Sequence, residues 1–589
     1  MGSQNDSCEE IPWQASFPIL LHNLADKWTK SADTSFRSCQ QAPKKLTTEA
    51  IFVICVILIF VILNIIGSSI NAYESYRKAA LLRKKTFRKV KDEDANEDEN
   101  VANANGDTLT EKKVKANESS TISVWRENGR AFFDCFCIQT NARKIFSFVS
   151  KQEHLDYIDG IRAIFFLYIF LSHFLYFYSR SIKNLDKHLQ AVLDMPITWY
   201  AANSAFGVDA FLTLSGFLNG FSFSNYFKKN NGKISWVAFY TLRIVRLTPL
   251  YMILLGFYTT LFTYMSSSPI WPTYDTNPVC KETWIWNLLY LNNFNSYYNQ
   301  CMAYSWFLAC IMQLYMISPL FMIPLNRWPR IGYGLSAAAI CVSCFSAFII
   351  TKQNNLFGCI PTLSESDGLE EINRQLWQVL DELHQKTYTR LTSYLIGILL
   401  GCYLCNRKFT KKNSLLTLSF GWLISAILIW ITCFTFCNGE RSAWEIAIFN
   451  GVKYLLNSCS FSWLLFVCST GQAGLIGAFL SHPIFKPLSR LSYCGLLAQT
   501  IVLEGYFLSV EVFIDETAIY EGALSDLSWA TLLLRLLFWT LVTAFMASLL
   551  FESPIIRLLH LYSTAMKAAS PEKESPQTSI LPKKGTISI

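Results

Sequence analysis

The sequence predicts an all-α fold, a polytopic membrane bundle of about eleven transmembrane helices, and three observations predict it. Hydrophobic residues make up 52% of the chain and charged residues only 16%, which lies outside the range of ordinary soluble domains. Apolar stretches long enough to cross a hydrocarbon core of roughly 30 Å recur along the chain. The connections between them alternate in charge, as the positive-inside rule requires. The formal net charge of +8 is therefore read as setting orientation, and nucleic acid is not a predicted partner.

Residues 1–47 form a short polar segment with Cys8, Cys39 and an Asn5-Asp6-Ser7 sequon. No compact apolar signal precedes residue 47, so the run over 50–66, within an anchor over 48–70, is expected to insert as a signal anchor. Arg77, Lys78, Arg83, Lys84, Lys85 and Arg88 follow it and place that side in the cytoplasm, with the N-terminus external or lumenal. Residues 71–153 are read as a cytoplasmic loop, disordered over its acidic, Asn- and Ser-rich part at 92–122.

Ten further spans are expected within a domain over 154–557, near 158–178, 205–227, 247–265, 303–324, 331–350, 391–405, 414–434, 446–468, 488–508 and 527–551. Alternation then makes cytoplasmic the connections that hold Lys228, Lys229 and Lys233, then Arg327 and Arg330, then Arg407 and Lys408, then Lys486 and Arg490. The acidic stretches 365–382 and 511–526 fall outside, which agrees. Residues 558–589 are expected to be a disordered cytoplasmic tail, and the membrane to be the plasma membrane or the endoplasmic reticulum.

Cysteines sort by compartment, because only those on the oxidising side should pair. Cys8, Cys39, Cys280, Cys301, Cys359 and Cys437 are expected to be external, and Cys280 with Cys301 is expected to close the loop after the span at 247–265. Cys8 with Cys39 and Cys359 with Cys437 are the remaining candidate pairs, their connectivity open. Cys135 and Cys137 are cytoplasmic, either palmitoylated or reduced. No zinc-ligand spacing is present, so neither a metal nor a bound cofactor is predicted.

Polar groups inside apolar spans are costly and point to function. Between residues 163 and 177 only Ser172 and His173 interrupt an apolar run, and His173 lies about 16 Å along a helix from Arg162. An imidazole exchanges a proton readily near neutral pH, which suits general-base work on a hydroxyl; a helix-packing role is the plainer alternative. The other histidines, His384 among them, fall in or beside polar connections. Arg243 and Arg246 are three apart at a cytoplasmic boundary, where they either hold a phosphate-rich donor or anchor the span. Asp159 and Arg162 have the same spacing and are candidates to pair. Glu445, Lys453, Glu504 and Arg535, in or near spans, are expected to pair across helices or line a hydrated cavity.

Four motifs in order then carry a family resemblance. They are Asp159-Gly160-Ile161-Arg162 with His173, Val208-Asp209-Ala210-Phe211 running to Ser215-Gly216, Arg243-Ile244-Val245-Arg246 leading to Pro249, and Phe551-Glu552-Ser553-Pro554. Together they resemble the membrane acyltransferase 3 family. The N-terminal anchor, Asn287-Leu288-Leu289-Tyr290-Leu291-Asn292-Asn293-Phe294, Ser305-Trp306-Phe307-Leu308 and the stretch from Tyr394 to Gly401 resemble its nose-resistant-to-fluoxetine branch. The resemblance implies transfer of an acyl group from cytoplasmic acyl-CoA, as co-substrate, to a small-molecule, lipid or glycan acceptor on or across the membrane. It implies His173 and Arg162 as catalytic residues, Arg243, Arg246 and Asp159 at the donor, and Asp209, Ser215, Trp306 and Glu552 in support. The alternative is a transporter of lipid or drug-like compounds built on the same fold. Two positions depart from the branch pattern: Ile311, where an acidic residue is common, and Gln499, where a histidine is common.

Overall fold

A computed structural model describes residues 44–95, 129–149, 155–180, 205–268, 271–272, 274–356, 369–407, 413–434, 442–509 and 524–569. Its elements are α1 (Thr48–Ala95), α2 (Ile138–Ile145), α3 (Tyr157–Arg180), α4 (Ala205–Lys229), α5 (Trp236–Gly256) and α6 (Pro278–Leu288). Then come α7 (Trp306–Ile317), α8 (Pro319–Arg327), α9 (Pro329–Gln353), α10 (Leu369–Val379), α11 (Thr387–Asn406) and α12 (Leu415–Phe434). The chain continues through α13 (Ala443–Ser469), α14 (Gly474–Leu480), α15 (Phe485–Ser509), α16 (Leu524–Ala547) and α17 (Ser553–Ala569). Among the described residues there is no strand.

Among the described residues, ten helices or paired helices are long and apolar enough to cross a membrane. The expected span over 205–227 is present as α4, 25 residues long, but falls outside those ten. Asp209, Thr213, Asn219 and Ser224 dilute its hydropathy, and all four are buried. The helix spends its small residues on close packing: a Cβ on Gly216 or Gly220 would overlap the Tyr394 or Ile398 carbonyl of α11, and one on Gly397 or Gly401 the Thr213 or Phe217 carbonyl of α4. Two small-xxx-small stripes thus face each other, which brings the backbones together without large side chains between them. Asn219 Nδ2 fixes the register by donating to Ser318 Oγ and Tyr394 Oη, each at 2.9 Å.

Two π turns interrupt the long helices, Phe257–Leu261 after α5 and Ser548–Glu552 between α16 and α17. α1 packs on both. Pro554 has no N–H to offer the Leu550 carbonyl, and Asn64 Nδ2 of α1 donates to that carbonyl at 3.1 Å. Phe60 meets Phe551 edge-on at 5.3 Å, so the anchor is seated by one hydrogen bond and one aromatic contact at the same turn.

The loop expected over 71–153 is in part folded. α1 continues to Ala95, and residues 129–149 pack against α1, α15 and α17. Arg557 Nη2 pairs with Asp134 at 2.5 Å, and Arg490 Nη1 donates to the carbonyls of Ile145 and Ser147 at 2.9 and 2.7 Å, capping the C-terminus of α2. Cys135 and Cys137 are buried here, at 4% and 0% exposure, which removes the reading of palmitoylation. The tail over 558–589 likewise begins as helix, through Ala569.

The Cys280–Cys301 disulfide is present. Cys8, Cys39, Cys359 and Cys437 lie outside the described residues. Beside the disulfide, Asn287 Nδ2 donates to Cys301 O at 2.8 Å and to Tyr251 Oη at 2.9 Å, while Asn293 Nδ2 reaches Thr387 Oγ1 at 2.9 Å. The asparagines of this stretch hold the capping loop onto α5 and α11.

Candidate active site

Three arginines converge at one end of the bundle. Arg162 sits in the second turn of α3, and Arg243 and Arg246 lie seven and ten residues beyond Trp236, the first residue of α5. The span expected over 247–265 therefore begins at Trp236, and its arginines lie about 10 and 15 Å inside the helix instead of at its boundary. Tryptophan and tyrosine at 236 and 240 supply the amphipathic start, which a search for apolar runs passes over.

Arg162 is within electrostatic range of Arg243, and Arg246 of both, with Glu552 and Tyr493 beside it. Among the described residues no carboxylate forms an ion pair with any of the three. The Arg243 guanidinium lies 5.0 Å over the Tyr315 ring, and its Nε is buried with no hydrogen-bond partner among the described residues. Three cations with two carboxyls in range, Asp159 of Arg162 and Glu552 of Arg246, keep a net positive charge, and an anion with several oxygens is the chemistry that relieves it.

Asp159 does not pair with Arg162 as its spacing suggested. Ser489 Oγ of α15 donates to Asp159 Oδ1 at 2.6 Å, which holds the carboxylate on that helix and leaves Arg162 to face α5. Glu552 lies on the second π turn and accepts from Ser548 Oγ at 2.8 Å and Cys494 Sγ at 3.0 Å. Single π turns recur at functional sites because they re-aim one side chain out of helical register.

His173 lies on the same helix as Arg162, and eleven residues come within about 20° of three full turns, so the two share a face about 16 Å apart. His173 Nδ1 is buried and has no hydrogen-bond partner among the described residues. His384, which stands in the polar connection the sequence put it in, is also within electrostatic range of His173. It stands in a π turn, Leu380–His384, that leads into α11.

A buried polar network supports it. Arg390 Nη1 pairs with Asp209 Oδ1 at 2.7 Å, with side-chain exposures of 0% and 1%. Ser393 Oγ and Asn457 Nδ2 donate to the same carboxylate at 3.1 Å each. Arg390 Nε donates to the His384 carbonyl at 2.8 Å, and its Nη2 lies 2.6 Å from His384 Nδ1. Burial, then the charges of Arg390 and Lys453, hold the His384 imidazole well below its usual pKa. A guanidinium can only donate, so Nδ1 of the neutral ring accepts and Nε2 carries the proton. Trp306 closes the site, with its ring edge-on to His384 at 4.9 Å. Ser215 is half-buried beside the glycine stripe and makes no hydrogen bond among the described residues.

A family model described as an acyltransferase domain, Acyl_transf_3, matches residues 155–551. This chain belongs to the acyltransferase 3 family. Within the nose-resistant-to-fluoxetine branch, it is 30% identical to nose resistant to fluoxetine protein 6 of Caenorhabditis elegans over 411 residues, which cover 64% of this chain and 48% of that protein. It is 25% identical to regulator of hypoxia-inducible factor 1 of the same organism over 470 residues, 74% of this chain and 86% of that protein. The chain thus spans about half the length of the first of these relatives. No solved structure matches it.

For an acyltransferase 3 domain, the residues that sequence reasoning missed are His384, Arg390 and Asn457. The span expected over 391–405 starts one residue after Arg390, so the arginine was counted with the connection. An arginine at the start of an apolar run, with Tyr394 one turn later and no acidic residue within a turn to pair it, was the available signal. Of the other polar residues in or near spans, Lys453 bonds Asn450 on its own helix at 2.7 Å, Glu445 completes a capping box with Ser442, and Arg535 lies 5.1 Å over the Tyr506 ring.

Proposed function

We propose that this integral membrane protein transfers an acyl group from acyl-CoA to a hydroxyl-bearing small-molecule, lipid or glycan acceptor. The observation that carries the reading is the shared face of α3. An anion-seeking arginine cluster stands at one end and an unpartnered imidazole nitrogen about 16 Å away, a span suited to an extended pantetheine arm. Arg162, Arg243 and Arg246 hold the donor's phosphates by charge-assisted hydrogen bonds. His173 Nδ1 takes the proton of the acceptor hydroxyl as its oxygen attacks the thioester carbonyl. The carbon–sulfur bond breaks, the coenzyme A thiolate leaves with a proton, and an ester remains. The Asp209–Arg390–His384 network keeps the imidazole region rigid.

The test is turnover of acyl-CoA by purified protein, corrected for thioesterase activity, across a panel of lipid and glycan acceptors. Arg162→Ala, or Arg243→Ala with Arg246→Ala, is expected to raise the KM for acyl-CoA tenfold or more before lowering kcat, about 1.5–3 kcal/mol for each charged hydrogen bond lost. An unchanged KM in both would release the arginines to a purely structural role. Wild-type protein that turns over no acyl-CoA yet moves lipid across vesicles would assign the fold to transport.

We further propose that the arginine end faces the cytoplasm and the disulfide end the exterior or lumen. The basic residues after the first span and the oxidised Cys280–Cys301 pair support this orientation. Impermeant thiol reagents on intact cells are expected to leave a cysteine introduced at Lys85 unlabelled, and labelling there would invert the topology.

A further inference from the structure

Glu504 is a buried carboxyl in α15 that the acyl-transfer reading does not use, and its surroundings differ from those of the other buried acids. Asp209 has Arg390, and Glu552 has Arg246 within electrostatic range. Glu504, 7% exposed, has no ion-pair partner among the described residues. Among the described residues its hydrogen-bond donor is the Tyr258 hydroxyl, at 3.1 and 3.3 Å from the two carboxyl oxygens.

Tyrosines surround it. Tyr274, Tyr297 and Tyr304 all lie within electrostatic range of the carboxyl, and the Tyr258 and Tyr304 rings meet edge-on at 6.3 Å. One turn before Glu504 on the same face, the Thr500 hydroxyl approaches that of Tyr304, yet among the described residues neither oxygen completes a hydrogen bond, and Thr500 is 2% exposed. Tyr258 itself stands on the π turn after α5, which aims its hydroxyl at α15. A lone buried carboxyl costs free energy that a cation would recover, and aromatic faces with free hydroxyl oxygens favour an organic ammonium over a bare metal ion.

We propose that Glu504, with Tyr258, Tyr304 and Thr500, forms a binding site for a protonated primary or secondary amine. The ammonium gives its N–H groups to the carboxylate and the two unfilled hydroxyl oxygens, and its apolar body lies against the tyrosine rings. The site stands independently of acyl transfer, because binding alone reports it.

The experiment uses full-length purified protein and follows its thermal unfolding midpoint with phenethylamine, with the uncharged isostere 2-phenylethanol, and with sodium chloride. The amine is expected to raise the midpoint while the alcohol and the salt do not. Glu504→Gln is expected to raise the half-saturating amine concentration at least about tenfold. Should that variant fail to fold, Thr500→Val and Tyr304→Phe remove single oxygens from the site, and each is expected to weaken the amine response alone. Equal responses to amine and alcohol, a response to sodium matching that to the amine, no response to the amine, or an undiminished amine response in every variant that folds would overturn the site.

Discussion

His173→Ala is expected to lower acyl-transfer kcat by about 10²–10⁴ while the protein inserts, folds and binds acyl-CoA as before. The separation follows from position. Among the described residues His173 makes no hydrogen bond through Nδ1, so its removal orphans no described neighbour at that atom, and α3 stays apolar and long enough to span. The arginines that hold the donor are about 16 Å away, beyond the reach of a local rearrangement at residue 173. His173→Gln retains a hydrogen-bonding side chain without a comparable base, so it should be as slow as the alanine variant. A glutamine variant at wild-type rate would reduce the histidine to a polar packing residue. Gel-filtration profile and acyl-CoA binding, measured alongside, separate lost chemistry from lost fold.

The bundle was legible from the sequence because lipid leaves the chain few choices. Each backbone N–H and C=O in the core must be satisfied within its own helix, so long apolar runs name the helices directly. Helix ends were less legible where aromatic and basic residues mix, as over 236–246, because arginines held inside the bundle and interfacial tryptophan extend a span without adding hydropathy. The convergence of Arg162 with Arg243 and Arg246 was foreshadowed by motif order. The network around Asp209 was not, because its members come from α4, α11 and α13, and no local spacing records contacts across 181 and 248 residues. The Asp159–Arg162 pairing failed for a related reason: a helical spacing of three permits the pair, but Ser489 on a neighbouring helix competes for the carboxylate. Burial of Cys135 and Cys137 was likewise invisible, since the 129–149 segment packs on distant parts of the chain, α1, α15, α16 and α17.

The largest expected loss of stability belongs to Arg390→Ala. Its guanidinium is wholly buried, pairs with Asp209, bonds the His384 carbonyl and ring, and lies 4.3 Å over the Tyr454 ring. Removing it leaves the Asp209 carboxylate with only Ser393 and Asn457 as donors, and an uncompensated buried charge of this kind costs about 3–5 kcal/mol. The variant is therefore expected to be poorly recovered from membranes and to unfold in detergent well below wild type. Asp209→Leu combined with Arg390→Met removes both charges at once and fills similar volume, so it should regain much of that stability. Activity should not return with it, because His384 loses the donor that fixes its tautomer and its place near His173. Thermal unfolding of the two variants in the same detergent, paired with acyl-CoA turnover, checks both halves. If the single variant matched wild type in stability, the Asp209–Arg390 pair would not be structural; if the double variant regained turnover, His384 would have no part in positioning the site.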